Sequence, residues 1–222
     1  MKSILVTGAS GDIGKGICSQ FYKKNWQVYG TSTSDSKIKE LKKEFPRATF
    51  YNCDMNNVED IIKVYQKISK IDLLVNNAGT NARGKVDEVS LEDYENIMNV
   101  NVRGPFLMMK YAIPIMRENG GGKIINIAST VGTRECPYVS LYAASKHALV
   151  GLSHSVREEV LADKIYVSTI YPGATDTAFQ LPGKTGLMNL KEVIDAVYFT
   201  ATRKKDTMVD LFIYPAIEKR KP

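Results

Sequence analysis

The chain has 222 residues and a formal net charge of +6. This length allows a full hydrophobic core and favours one α/β domain over two small ones, so we expect residues 1–222 to form a single domain. The positive charge is spread along the chain, and the basic clusters at 203–205 and 219–221 are short. Nucleic-acid binding would require longer basic stretches, so no nucleic-acid partner is expected.

Cysteine usage and the amino terminus point to a cytoplasmic protein. Cys18, Cys53 and Cys136 lie far apart without a Cys-x-x-Cys pattern or a nearby His, so neither a disulfide framework nor a metal site is predicted. The first residues, "MKSILVTGAS", reach a glycine turn too early for a signal peptide, and no apolar run is long enough to span a bilayer. We therefore expect no membrane partner.

Short β-forming runs alternate with helical patterns along the whole chain. Predicted strands lie at 3–7, 27–31, 48–52, 72–76, 123–128, 166–171 and 208–213, and predicted helices at 13–24, 36–44, 58–69, 91–118, 141–162 and 190–202. Continuous apolar runs such as "LLV" and "IINI" are typical of strands covered on both faces. The pattern predicts a doubly wound Rossmann fold, with one parallel seven-stranded sheet between two layers of helices. The irregular stretch at about 174–189 is predicted to be a short substrate lid.

The first predicted strand runs directly into "GASGDIGKG", a turn that suits phosphate binding. Glycine at positions 8, 11 and 14 removes the Cβ atoms that would keep a pyrophosphate away, and the following helix offers unpaired N–H groups. A glycine-rich turn without a ligand is the alternative. Asp12 can cap the helix with its carboxylate directed away from phosphate. The predicted cofactor contacts in this turn are Gly8, Ser10, Gly11, Asp12, Ile13 and Gly14.

The end of the second predicted strand bears on the choice of cofactor. Dinucleotide folds that use NAD usually carry an acid there, which binds the adenosine ribose hydroxyls. This chain has Ser32 and Thr33 at that place, with Asp35 beyond the strand end and Lys37 nearby. The hydroxyl side chains predict a preference for NADP, with NAD as the other possible cofactor.

Several motifs follow one another in a characteristic order. After the glycine turn come "NNAG" at 76–79, Asn101 in "NVNVRGPF", Ser129 after "KIINIA", Tyr142 four positions before Lys146, and "YPGATDT" at 171–177. In this order and spacing the chain resembles the short-chain dehydrogenase/reductase family. The glycine spacing is that of the family's extended branch, whereas the chain length, "NNAG" and the interval from Ser129 to Tyr142 match its main branch.

The resemblance implies a catalytic role for four residues. Tyr142 would be the general acid or base, Lys146 its partner and a holder of the nicotinamide ribose, Ser129 a donor to the substrate oxygen, and Asn101 the holder of a proton relay. Independently of the family, an ammonium one helical turn from a phenol is expected to stabilise the phenolate and lower the pKa of Tyr142. Taken singly, Ser129 could end a strand, Asn101 could satisfy a helix kink and Tyr142 could be a core residue.

The resemblance also implies contacts between the chain and the cofactor. Asp54 could instead cap the following helix, although Asn56 or Asn57 is better placed for that. The implied contacts are Asn77, Ala78 and Gly79 at the ribose, Asp54 and Met55 at the adenine, and Pro172, Gly173, Thr175 and Thr177 around the nicotinamide.

The predicted activity is hydride transfer between NADP(H), or NAD(H), and a small carbonyl or secondary alcohol; the alternative is a dinucleotide sensor without turnover. His147 and His154 are interpreted as packing or surface residues.

A homodimer or homotetramer is expected because helices 91–118 and 141–162 carry more apolar residues, including Met108, Met109, Leu149 and Leu152, than one sheet face should absorb. Candidate substrate-pocket residues in the loops are Arg83, Arg134, Tyr138, Phe179 and Leu181.

Overall fold

A computed structural model describes residues 1–179, 186–204 and 207–215. Leu181 and residues 180–185 of the predicted lid lie outside the described residues. The strands within these ranges are β1 (Ser3–Val6), β2 (Gln27–Ser32), β3 (Thr49–Asn52), β4 (Leu73–Asn76), β5 (Gly122–Ile127), β6 (Ile165–Pro172) and β7 (Leu211–Ile213). They form one parallel sheet in the order β3-β2-β1-β4-β5-β6-β7.

Helices cover both faces of the sheet, as the alternating sequence pattern predicted. The helices within the described residues are α1 (Asp12–Lys23), α2 (Asp35–Glu44), α3 (Val58–Tyr65), α4 (Leu91–Met98), α5 (Gly104–Glu118), α6 (Ser140–Val160) and α7 (Leu190–Thr202). Successive strand residues point to opposite faces, so Leu5 and Leu74 join the core under α3, α5 and α6, whereas Ile4 and Val75 join the core under α1, α2 and α7. Both cores are apolar and closed to solvent.

The structure confirms the predicted fold class and differs from the prediction mainly at element ends. The single helix expected over 91–118 is divided into α4 and α5 by a π-helical turn at Asn99–Arg103, next to Pro105, which lacks a backbone N–H. The last strand covers only Leu211–Ile213 of the predicted 208–213. No helix in the described part of the chain is both long enough and apolar enough to cross a membrane.

Met108, Met109 and Leu149 do not form an apolar surface for self-association, contrary to the prediction. These three side chains are at most 1% exposed and belong to the protein's own core, because α5 and α6 pack against the sheet and against each other. Leu152 also packs against that core. The expectation of a homo-oligomer therefore loses this support and stays a prediction.

The strand order places a cleft at the carboxyl edge of the sheet. The chain winds outward from β1 in one direction to β2 and β3, and from β4 in the other direction to β5, β6 and β7. The loops after β1 and β4 therefore diverge at this edge, and ligands of doubly wound sheets bind at such a switch point. The cleft here has a volume of about 820 Å³.

Two glycines should respond in opposite ways to the same added methyl group. A Cβ on Gly14 would lie 2.2 Å from the carbonyl oxygen of Gly8, whereas a Cβ on Gly151 in α6 would meet no atom within 4 Å. We expect Gly14→Ala to lower the free energy of unfolding by about 1–3 kcal/mol and Gly151→Ala to raise it by about 0.5–1 kcal/mol. Urea unfolding of both variants measures this; equal effects of the two would contradict it.

Candidate active site

The turn after β1 is folded so that backbone lines the cleft. Gly8 has a φ of +65°, and the N–H of Gly11 donates to its carbonyl oxygen over 3.1 Å. Gly11 is the N-cap of α1 and supplies no side-chain cap to the first helical turn. The amino end of α1 therefore presents its partial positive charge to the cleft, as an anion site requires.

A single hydroxyl joins this turn to the loop after β4. Thr7 Oγ1 accepts hydrogen bonds from the N–H groups of Asn77 and Ala78, both over 2.9 Å, and Asn77 Nδ2 donates back to the carbonyl oxygen of Thr7 over 2.9 Å. Gly14 makes room for this amide, because an added Cβ would lie 2.9 Å from Asn77 Nδ2. Asn77 is thus fixed at the switch point by the first turn.

Asp12 does not cap α1. It is the first residue of the helix, and its Oδ2 accepts a hydrogen bond from the backbone N–H of Ala178 over 2.8 Å. The carboxylate therefore faces the loop after β6. This contact joins residues 166 positions apart, which is why a local capping argument could not find it.

Hydroxyl groups occupy the cleft at the end of β2. Ser32 Oγ donates to Ser10 Oγ over 2.7 Å, and exposed Thr33 lines the cleft beside them. Asp35 does not line the cleft, and its Oδ1 accepts a hydrogen bond from Asn52 Nδ2 over 2.7 Å. The end of β2 consequently presents no carboxylate to a ligand.

The loop after β3 carries Asp54 to the same side of the cleft. Its Oδ1 accepts from the backbone N–H of Asn56 over 2.9 Å, which closes a short local turn. Asn57, and not Asp54, caps α3 by accepting from the N–H of Glu59. Asp54 is therefore available to a ligand, as the functional interpretation requires.

Tyr142 and Lys146 lie one turn apart at the start of α6, and both line the cleft with Ser129. Lys146 is 4% exposed, and its Nζ donates to the carbonyl oxygen of Ile127 over 2.9 Å. Burial lowers the pKa of Lys146 to about 8. The same Nζ lies 5.6 Å from the centroid of the Tyr142 ring.

The expected lowering of the Tyr142 pKa by Lys146 was wrong. Burial raises the pKa of this phenol to about 12, and the Ser129 side chain and the charge of Arg83 only partly oppose the shift. Removing water from around the phenolate raises its free energy by more than the Ser129 side chain and the Arg83 charge lower it. Tyr142 is therefore a protonated acid at neutral pH in this structure, although its ring still reaches the cleft.

Ser129 is held at the end of β5 by two contacts. Its Oγ accepts from the N–H of Val131 over 3.2 Å, which starts a 3₁₀ turn, and it donates to the carbonyl oxygen of Pro172 over 3.4 Å. The second bond is long and therefore weak. The Ser129 proton can thus be redirected to a ligand at small cost.

Asn101 does not line the cleft. Its side chain is fully buried in the π-helical turn, where Oδ1 accepts from the N–H of Thr80 over 2.8 Å and Nδ2 donates to the carbonyl oxygen of Thr80 and to Ser145 Oγ. Ser145 Oγ in turn donates to the carbonyl oxygen of Tyr142. The Asn101 side chain therefore holds the loop after β4 against α6, and Thr80 of that loop lines the cleft.

Most predicted site residues converge on one cleft. All the predicted cofactor contacts line it, and so do Arg83, Arg134 and Phe179, whereas Asn101 and Tyr138 do not. His147 and His154 also lie outside it. Sequence reasoning missed Thr7 and Ser145, for which the only signal was their position beside Gly8 and Lys146. It also missed lining residues for which the sequence motifs predicted no role. These are Thr31, Cys53, Asn56, Thr80, Asn81, Asn96, Val100, Ile127, Ala128, Thr130, Val131, Cys136, Val139, Ala174 and Ala178.

A doubly wound sheet that brings a glycine turn, a tyrosine and a buried lysine to one cleft is typical of dinucleotide-dependent oxidoreductases. The short chain dehydrogenase family model matches residues 2–185. An uncharacterized oxidoreductase of Thermotoga maritima is 36% identical over 182 residues, which cover 79% of this chain and 72% of that protein. The chain belongs to the short-chain dehydrogenase/reductase family and is an oxidoreductase.

Two solved structures share the fold over almost the whole chain. The closed form of serine dehydrogenase complexed with NADP⁺ has a TM-score of 0.89 and 25% identity, covering 95% of this chain and 94% of that one. The 3-ketoacyl-(acyl-carrier-protein) reductase from Brucella melitensis complexed with NADH has a TM-score of 0.87 and 26% identity, covering 95% and 96%. Similar folds thus hold either dinucleotide.

The buried ammonium of Lys146 should impose a pH dependence on stability. Its pKa falls from 10.5 to about 8 on folding, so between these values the unfolded chain binds a proton that the folded chain does not. The Lys146 contribution to the free energy of unfolding therefore rises with pH across this window, by about 3 kcal/mol in total.

We expect Lys146→Met to be more stable than the wild type at pH 7, with an advantage that shrinks as the pH rises from 8 to 10.5. Urea unfolding at several pH values measures this. Lys42→Met, at an exposed position of α2, is the matched control and should change little. A Lys146→Met advantage that is constant with pH would show that the ammonium is not desolvated.

Proposed function

We propose that the protein transfers a hydride between NADP(H) and a carbonyl or secondary alcohol, with Tyr142 as the general acid or base. One observation carries this proposal: Tyr142, Ser129 and Lys146 reach the same cleft as the glycine turn. Acid–base chemistry on a substrate oxygen needs a proton donor, a second hydrogen-bond donor and a cation at one place.

The residues of this chain suit the reductive direction. The bound nicotinamide supplies or accepts the hydride. Tyr142 holds its proton at neutral pH because burial raises its pKa, and an alkoxide is a stronger base than a phenolate, so proton transfer to the forming alkoxide is favourable. Ser129 can hydrogen-bond the same oxygen, and the Ser129 side chain and the Arg83 charge favour the phenolate that is left.

The end of β2 supports NADP(H) as the preferred cofactor. Ser10, Ser32 and Thr33 offer hydroxyl groups to a ligand where a carboxylate would repel a 2′-phosphate. The NADP⁺ bound to the related serine dehydrogenase agrees with this choice, and the NADH bound to the related ketoacyl reductase keeps NAD(H) as the second cofactor to assay.

Tyr142→Phe should separate an enzyme from a dinucleotide sensor. Loss of the phenolic proton is expected to lower kcat/KM for NADPH-dependent ketone reduction by about 100- to 10,000-fold, while NADPH affinity stays within about threefold because the ring remains. NADPH oxidation across a panel of ketones and aldehydes, with NADPH titration of both proteins, measures this. Tyr94→Phe, on the exposed side of α4, is the matched control. Tight NADPH binding without turnover in the wild type would favour the sensor.

Cofactor preference should follow the charge at the end of β2. The wild type is expected to have a lower KM for NADPH than for NADH, and Thr33→Asp should raise the KM for NADPH by about tenfold, because the new carboxylate repels the 2′-phosphate. Thr33→Asn, which has the same shape without the charge, is the control. A wild type that prefers NADH would overturn the proposed preference.

A homodimer or homotetramer also stays a proposal, now supported by different residues. Tyr94 and Phe106, on α4 and α5, are 46% and 44% exposed, which leaves aromatic surface for a second copy of the chain. Light scattering coupled to chromatography tests this, and a monomeric mass would refute it.

A further inference from the structure

Two arginines lie on the rim of the cleft that also holds Tyr142. Arg83 follows β4 and Arg134 follows β5, and both line the cleft although their side chains are exposed. Among the described residues, neither guanidinium forms a hydrogen bond, an ion pair or a ring contact with the protein. Both side chains are therefore free to bind a ligand.

The backbone holds the two arginine loops together. The N–H of Gly84 donates to the carbonyl oxygen of Tyr138 over 3.0 Å, and Gly84 pairs with Val139 in an isolated parallel bridge. Tyr138 has a φ of +63°, a left-handed conformation that is costly for a bulky residue and persists only where the surroundings enforce it. The loops that carry Arg83 and Arg134 are thus joined side by side beside the start of α6.

Charge is segregated along the cleft. Its carboxylates among the described residues are Asp54, which follows β3, and Asp12, whose Oδ2 is bonded to the N–H of Ala178. Around Tyr142 the charged lining residues are Arg83, Arg134 and Lys146. Of the other acids nearby, Glu88 is paired with Lys85, and Glu135 and Asp176 do not line the cleft. The part of the cleft around Tyr142 therefore has a positive potential that favours an anionic ligand.

We propose that the substrate carries an anionic group, a carboxylate or a phosphate, which Arg83 and Arg134 bind while the carbonyl oxygen faces Tyr142. The inference rests on the proposed function, since it names the substrate class of the same site. Planar guanidinium groups bind carboxylate and phosphate oxygens through paired hydrogen bonds, so two of them can orient a substrate as well as hold it.

The Arg83 charge also acts on the reacting group. It lowers the pKa of Tyr142 in the structure, against the larger effect of burial. A group bound to Arg83 would therefore lie within electrostatic range of the Tyr142 phenol.

The test compares acids with neutral analogues of similar shape. Calorimetric titration of the protein loaded with NADP⁺, which cannot reduce a ketone, measures binding of 4-oxopentanoate against 4-oxopentanamide, and of dihydroxyacetone phosphate against dihydroxyacetone. We expect at least one anion to bind about tenfold more tightly than its neutral partner, and added salt to reduce the difference. The better pair identifies carboxylate or phosphate as the group that is bound.

Substitutions of Arg83 and Arg134 test whether these two residues cause the preference for anions. Arg83→Gln together with Arg134→Gln should remove the preference for the anion and leave binding of the neutral analogue within about twofold. Lys39→Gln removes a positive charge from an exposed position of α2 outside the cleft, so it is the control for net charge and should retain the preference. Equal binding of acids and neutral analogues by the wild type, or a preference that survives the double substitution, would overturn the inference.

Turnover distinguishes this inference from the proposed function. If NADPH oxidation proceeds with neutral ketones and depends on Tyr142 while anions have no advantage in binding, the reductase stands and the anion site falls. If anions bind through the two arginines but no carbonyl compound is reduced, the anion site stands and the reductase falls.

Discussion

The junction between the first turn and the loop after β4 is the contact on which the site depends. One hydroxyl, Thr7 Oγ1, accepts two backbone N–H groups from Asn77 and Ala78, and Gly14 leaves the space that Asn77 needs. These bonds hold together the two loops that diverge where the sheet reverses its winding direction. Because the cleft lies where these loops diverge, its shape depends on this set of hydrogen bonds.

Burial has the largest effect on the pKa values of Tyr142 and Lys146 in the cleft. Removal from water lowers the pKa of Lys146, although its Nζ still donates a hydrogen bond to the carbonyl oxygen of Ile127. Removal from water also raises the pKa of Tyr142, which therefore keeps its proton. Desolvation shifts both groups toward their neutral forms. In the proposed function this phenol is the proton donor to the forming alkoxide, which is the stronger base.

Charge is unevenly distributed along the cleft. Asp54 follows β3, and Asp12 is bonded to Ala178 rather than free in the glycine turn. Arg83 and Arg134 lie on loops joined through Gly84. In the function proposed for the protein, these loops after β4 and β5 select the substrate.

The sequence by itself determined the fold class and the glycine turn, because apolar periodicity and local glycine spacing reflect how the backbone must fold. The group of Ser129, Tyr142 and Lys146 was singled out through the resemblance to the family. Local patterns could not determine the direction of the Tyr142 pKa shift, the bond from Ala178 to Asp12, or the burial of Met108 and Met109. Only the tertiary structure decided these, because desolvation and charge proximity depend on atoms that come from distant parts of the chain.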